Sequence, residues 1–255
     1  LTAQKIASQK NKFKQICLHH EGSVDDKGFD LVLHQNPVNL DTRYHNLPRH
    51  IPEYKDEWYR NGIIHLPRFD YYEHPIIGTF GFGLGGKGFT RVVEQVMSEY
   101  DAATIRMNIP FAHFGDANGD GARWWASACQ AIAAKNPKID LRITHDLLPQ
   151  QQLLDFLHGN DINCFFYDDN IGRGISGTLD YALAVHKPIA ITKSWQFQHM
   201  WNDTIILEPD NGIKKILAAG TQHLQKYHDK WNDTTLIAAY NKAFDKVLGR
   251  NDDDQ

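Results

Sequence analysis

The chain has 255 residues, long enough to bury a sizeable core as one large domain or two small ones, and its 42% hydrophobic and 23% charged residues are ordinary globular usage. A formal net charge of −4 excludes a general binder of nucleic acid or of membrane surfaces, because no basic excess exists to neutralise phosphates. The three cysteines, Cys17, Cys129 and Cys164, lie outside any CxxC or Cys/His ligand spacing and read as reduced thiols.

The first 75 residues predict an abbreviated lobe. Residues 5–13 have helical spacing, residues 15–18 and 31–34 read as two strands, and the Pro- and aromatic-rich stretch that follows reads as a connector between lobes. From Pro75 onward short apolar runs alternate with helical patterns. Strands are expected at 76–82, 103–109, 141–143, 162–167, 188–192 and 204–207. Helices are expected around 89–97, 122–134, 153–157 and 178–185. Cys164 falls in the most apolar of these strands and is assigned to the core. Strands too apolar to face water, alternating with helices, predict an α/β fold with a Rossmann-like parallel sheet covered on both faces. Helices over 213–224 and over the stripe Leu236, Ile237, Tyr240, Ala243, Phe244, Val247 and Leu248 close the chain, with residues 251–255 as a tail. The expected division is 1–75, 76–210 and 211–250. No apolar stretch approaches the roughly 20 residues of a membrane helix. No secretory leader is visible and the chain opens on Leu1, so the expectation is a cytoplasmic protein trimmed or cut from a longer one.

Two glycine-rich strand-to-helix loops carry the chemistry. The first holds Gly78, Gly81, Gly83, Gly85, Gly86 and Gly88, with Lys87 as a point charge; the second holds Asp168, Asp169, Gly172, Arg173, Gly174, Ile175, Ser176 and Gly177. Glycines admit close backbone approach, and amides at a helix start attract phosphate. Arg173 can bind phosphate bidentately, and Ser176 is placed as the N-cap of the next helix. In a doubly wound sheet both loops reach the same rim, which suggests a ligand with more than one phosphate. The first loop is not a Walker motif, and no acid ends the second strand, which disfavours a dinucleotide oxidoreductase.

On these residues the chain resembles the GT-B glycosyltransferases. Gly78 followed by Lys87-Gly88-Phe89 resembles the opening of their C-terminal domain. His145-Asp146-Leu147-Leu148-Pro149 resembles the segment beside the nucleotide base. Residues 176–190, with Asp180 and the Lys187-Pro188 strand entry, resemble the donor-site helix and the strand after it. The resemblance covers about residues 76–210. It implies a nucleotide-diphosphate sugar as donor substrate, no other cofactor, no metal, and a leaning towards a retaining outcome. Lys87 and Arg173 are then the catalytic charges on the diphosphate. Gly81, Gly83, Gly85, Gly86, Asp146, Leu147, Leu148, Asp169, Gly174, Ile175, Ser176, Gly177 and Asp180 form the donor site, with Asp180 on the ribose hydroxyls.

The chain departs from the family pattern in two places. The Arg that often precedes the Lys falls near Phe82. The paired glutamates are not intact, since Asp180 stands one position early and Gly172 occupies the place eight residues before it. The function implied is a glycosyltransferase with an unknown acceptor; the alternative is a non-catalytic nucleotide or sugar-nucleotide binding module or fragment of a larger assembly. Residues 116–121 match half of a calcium loop, but Ser127 stands where that loop needs a bidentate Glu, so an acidic turn capping a helix is expected. His19, His20, His34 and His45 lack ligand spacing, and one of them is a candidate to face the cleft.

Overall fold

The computed structural model describes residues 13–20, 28–55, 74–112 and 115–250. The helix expected over 5–13 lies, apart from Phe13, outside the described residues, as does the tail 251–255.

Two parallel sheets organise the chain. The N-terminal sheet runs β1 (Ile16–His19), β2 (Leu31–His34), β3 (His45–Asn46). The larger sheet contains β4 (Ile76–Phe80), β5 (Ala103–Asn108), β6 (Ile139–Thr144), β7 (Ile162–Phe165) and β8 (Ile189–Ile191), in the order β6-β5-β4-β7-β8, with every neighbouring pair parallel. The strand order reverses between β4 and β7, so the loops leaving these two strands diverge to opposite faces and open a crevice at their carboxyl ends.

Helices cover both faces because the central strands are apolar on both. One core joins Ile77, Ile105, Met107 and Cys164 to Val92, Val93 and Val96 of α1 (Phe89–Glu99) and Ala122 and Cys129 of α2 (Asp120–Ala133). A second joins Phe165, Ile189 and Ile191 to Leu154 and Leu157 of α3 (Gln150–His158) and Leu179 and Leu183 of α4 (Thr178–Ala184). Burial drives the thiols of both core cysteines up, that of Cys129 to about 12. β6 alternates inward and outward residues, as an edge strand with one covered face does.

The C-terminal region continues with α5 (Ile213–Ala218), α6 (Gln225–Lys230) and α7 (Asp233–Leu248). α7 crosses to the N-terminal sheet, where Ala243 and Val247 pack with Leu31, Leu33 and Leu47. At its start Asn232 and Thr235 form a capping box.

Several sequence expectations need correction. Residues 204–207 form no strand: Asn202 takes the amides of Thr204, Ile205 and Ile206 into a turn, and Ile206 alone makes a bridge to Ile191. The helix expected over 213–224 ends at Ala218, where the chain turns at Gly220. A short 3-10 helix at Trp195–Met200 was not anticipated; Ser194 caps it by accepting the Gln196 amide. The Pro-rich stretch is more than a connector, because Leu47 and Arg49 are buried and Ile51 packs against the second core. Among the described residues no helix is long and apolar enough to cross a membrane.

Candidate functional site

The loop after β4 is anchored at both ends. The Gly81 amide donates to the Asn108 carbonyl at 3.1 Å, and the Gly86 carbonyl accepts from the Asp168 amide at 2.9 Å. Gly88 has φ +63°, and a Cβ there would stand 1.9 Å from the Phe166 carbonyl oxygen, so only glycine lets α1 start this close to β7. This geometry delivers Lys87 to the rim, its ammonium 4.0 Å from the centroid of the buried Tyr167 ring, a cation–π contact.

The loop after β7 is tied to the 3-10 segment. Thr192 Oγ1 donates to the Tyr167 carbonyl at 2.6 Å, Ser194 Oγ to that of Asp168 at 3.0 Å, and the Ser176 amide to that of Gln196 at 3.0 Å. Beneath the loop a hydroxyl cluster joins Tyr167, Thr178 and Ser176, at 3.0 and 2.8 Å. A third loop, between β6 and α3, is braced by Asn108, whose amide donates to Thr144 Oγ1 and to the Asp146 carbonyl, both at 3.0 Å. Asn108 therefore ties the glycine turn to the 145–149 segment.

These loops enclose a cavity of about 550 Å³. Of the residues expected at the donor site, Gly81, Lys87, Leu147, Leu148, Arg173, Gly174, Ile175, Ser176 and Gly177 line it. The others do not. Gly83 packs against the first turn of α2, Gly85 has open space around it, and Gly86 sits over Asp168. Asp146 contributes its carbonyl to Asn108. Asp169 accepts the Trp195 amide at 2.8 Å, capping the 3-10 helix, and Asp168 pairs with Arg91 of α1. Asp180 is buried in a bidentate ion pair with Arg49 and borders a separate cavity. Burial pushes its carboxyl above the ordinary range, against the pull of the Arg49 guanidinium. Ser176 is not the N-cap of α4; that position is Gly177, and the Ser176 hydroxyl turns to Thr178.

Sequence reasoning missed Phe80, Asn108, Tyr181 and Gln196, which also line the cavity; His20, one of the four histidines considered for the cleft, lines it too. Asn108 alone left a signal, as a polar residue closing an apolar strand.

A second cavity, of about 530 Å³, adjoins the first and shares His20, Arg173, Gly174 and Ile175 with it. His19, His34 and Tyr44 line it from the N-terminal lobe, and Trp195 and Trp201 line it as well. His45 turns away, contacting the Ala239 carbonyl of α7 at 3.1 Å. His20 Nδ1 lies 2.6 Å from Gln35 Oε1.

Residues 116–121 form the expected acidic turn. Asp116 accepts the Gly121 and Ala122 amides at 3.0 and 2.9 Å, and these bonds hold its carboxyl below the usual range. Among the described residues no group of three or more His, Cys, Asp or Glu could hold a metal ion.

No protein-family model and no curated protein sequence matches the chain. Solved structures do resemble it. A glycosyltransferase from Rickettsia africae ESF-5 matches with a TM-score of 0.63 at 12% identity, over 92% of this chain and 71% of that one. A UDP-forming α,α-trehalose-phosphate synthase from Burkholderia xenovorans matches with a TM-score of 0.61 at 8% identity, over 98% and 68%. A sucrose-phosphate synthase from Thermosynechococcus elongatus matches with a TM-score of 0.61 at 11% identity, over 88% of this chain and 55% of its own. The fold is that of the GT-B glycosyltransferases, and the chain spans only part of the length of these proteins.

Proposed function

We propose that this GT-B-like chain binds a nucleotide-diphosphate sugar in the 550 Å³ cavity and transfers the sugar to an acceptor hydroxyl. One observation carries the reading: Lys87 and Arg173, 86 positions apart by their numbers, line a single cavity at the carboxyl ends of β4 and β7. Two cations there suit a diphosphate, and the apolar Leu147 and Leu148 in the same lining suit a base. As the bond from the anomeric carbon to the diphosphate breaks, negative charge grows on the leaving oxygen. Lys87 and Arg173 stabilise that charge in place of a metal ion, which is electrostatic leaving-group catalysis. The named neighbours above are glycosyltransferases or sugar-phosphate synthases, which agrees with a sugar-transfer role.

A binding module without catalysis is the second reading. It is favoured by the Arg49–Asp180 pair, which withdraws the one acid expected at the ribose, and by Gly172 in the place of a glutamate. A thermal-shift panel of UDP-, GDP-, ADP- and TDP-sugars tests the shared premise, since a ligand of the native state raises its melting temperature. A saturable rise with one nucleotide series is expected, and release of free nucleoside diphosphate on adding acceptors separates enzyme from module. No rise with any member removes both readings.

A further inference from the structure

Asn108 closes β5 and is only 2% exposed, yet it lines the first cavity. Both hydrogens of its side-chain amide are committed, one to Thr144 Oγ1 and one to the Asp146 carbonyl, each at 3.0 Å. Its backbone carbonyl is committed too, to the Gly81 amide. The side-chain oxygen differs. Among the described residues it accepts no hydrogen bond, and unlike the unpaired ring nitrogens of His199 it is not sealed inside the protein. A polar atom so nearly buried rarely goes without a partner, so Oδ1 is an acceptor that a ligand of the cavity can satisfy. A flip of the amide would set Oδ1 against the Asp146 carbonyl, oxygen to oxygen, so the group presents an acceptor and never a donor.

The lining is polarised along the strand order. Lys87 and Arg173 come from the loops after β4 and β7, two strands that are neighbours in the sheet. β5 and β6 lie on the other side of β4, and the lining residues from these strands and the segments after them are Asn108, Pro110, Leu147, Leu148 and Leu153. Asn108 carries the only polar side chain of those five. A ligand whose diphosphate sits on the two cations therefore lays its other end on an apolar wall that holds one fixed acceptor.

We infer that Asn108 selects the nucleobase, its Oδ1 accepting a hydrogen bond from a ring N–H on the edge of the base. Uracil and thymine carry that hydrogen at N3 and guanine carries it at N1, whereas cytosine and adenine have a lone pair at the corresponding nitrogen. A lone pair facing Oδ1 repels it and leaves two acceptors unpaired in a site closed to water, which is how a site built around one hydrogen bond rejects a ligand that lacks the donor. The exocyclic amine of cytosine or adenine reaches Oδ1 only if the base slides along the apolar wall, and a diphosphate anchored on Lys87 and Arg173 resists that slide. The inference rests on the nucleotide reading of this cavity and deepens it by naming the class of base.

The test is calorimetry on the full chain with UDP, CDP, GDP and ADP, two pairs of like size in which one member carries the ring N–H. UDP or GDP is expected to bind at least about tenfold more tightly than its pair member. Asn108→Leu, close in size, removes the acceptor and should abolish most of that preference; Asn108→Ala gives the same comparison if the leucine variant does not fold. Thr144→Val removes one of the two braces on the same amide and leaves Oδ1 in place, so it should weaken both members of a pair alike and keep the preference. A side chain that only braced the loops would change both members equally, so the ratio between them is the readout. Equal binding within each pair, or CDP or ADP as the tightest of the four, overturns the inference while leaving the nucleotide reading intact. A preference that survives in a folded Asn108 variant overturns it as well. Failure of all four to bind removes the nucleotide reading and the inference with it.

Discussion

Arg49 and Asp180 meet as a buried ion pair between the N-terminal lobe and α4. The Arg49 Nε donates to one carboxylate oxygen at 3.1 Å and Nη2 to the other, while Nη1 donates to the Gln35 carbonyl at 3.0 Å. The same Gln35 holds His20 through its side chain, so one linked set of polar contacts runs from the wall shared by the two cavities to α4.

Removing one partner of this pair should be costly, because it leaves the other charge buried without a counterion. Arg49→Ala and Asp180→Ala are each expected to lower stability by about 3–5 kcal/mol, whereas Arg49→Met with Asp180→Leu should recover most of the loss. Urea denaturation of the single and double variants measures this. Single variants within 1 kcal/mol of wild type would show that the pair is not buried in solution.

Lys87→Ala and Arg173→Ala should each weaken nucleoside diphosphate binding by about 1.5–3 kcal/mol, with little change in stability. Arg173→Lys should recover only part, since an ammonium lacks the bidentate fork. Tyr167→Phe keeps the ring under Lys87 and should affect binding less than Lys87→Ala. Calorimetry with and without chelator also tests metal independence; binding that vanishes in chelator would refute it. Unchanged affinity in both alanine variants would move the nucleotide elsewhere.

The turn at Asp116 should behave as a helix cap. Millimolar calcium added to chelated protein is expected to leave the melting temperature unchanged, while Asp116→Ala lowers it by freeing the Gly121 and Ala122 amides. A saturable rise with calcium would favour a metal loop instead.

His199 should make the fold acid-sensitive. It is buried with both ring nitrogens unpaired; burial first, and Arg49 next, hold its pKa well below the ordinary value of 6.5. The unfolded chain takes up a proton there and the folded chain does not, so the stabilisation is full above about pH 6.5 and declines as pH falls. Urea midpoints at about pH 7.5 and 5.5 should therefore fall less for His199→Phe than for wild type. His34, His223 and His228 are depressed too, so the variant flattens the decline without abolishing it. An equal decline in both proteins would rule out His199 as a source.

The sequence by itself determined the parallel α/β class of the larger sheet and the rim its two glycine-rich loops reach, while the strand order that opens the crevice between β4 and β7 came from the structure. Apolar runs of strand length alternating with helical spacing can bury their surfaces only between two helical layers, and strands in that order send their following loops to one rim. Lys87, Arg173 and the 174–177 loop were therefore legible as neighbours in space, because the topology of the sheet places them. The tertiary structure alone decided which acids face the cavity. Asp180 turns inward because its partner arrives from 131 residues away in the other lobe, and Asp169 is taken by the amide of a 3-10 helix that no periodicity announced. The second cavity exists only where His19, His34 and Tyr44 meet Trp195 and Trp201, a juxtaposition set by packing between segments more than 150 residues apart. Local sequence pattern records which face of an element is buried, but not which distant side chain will arrive to cover it.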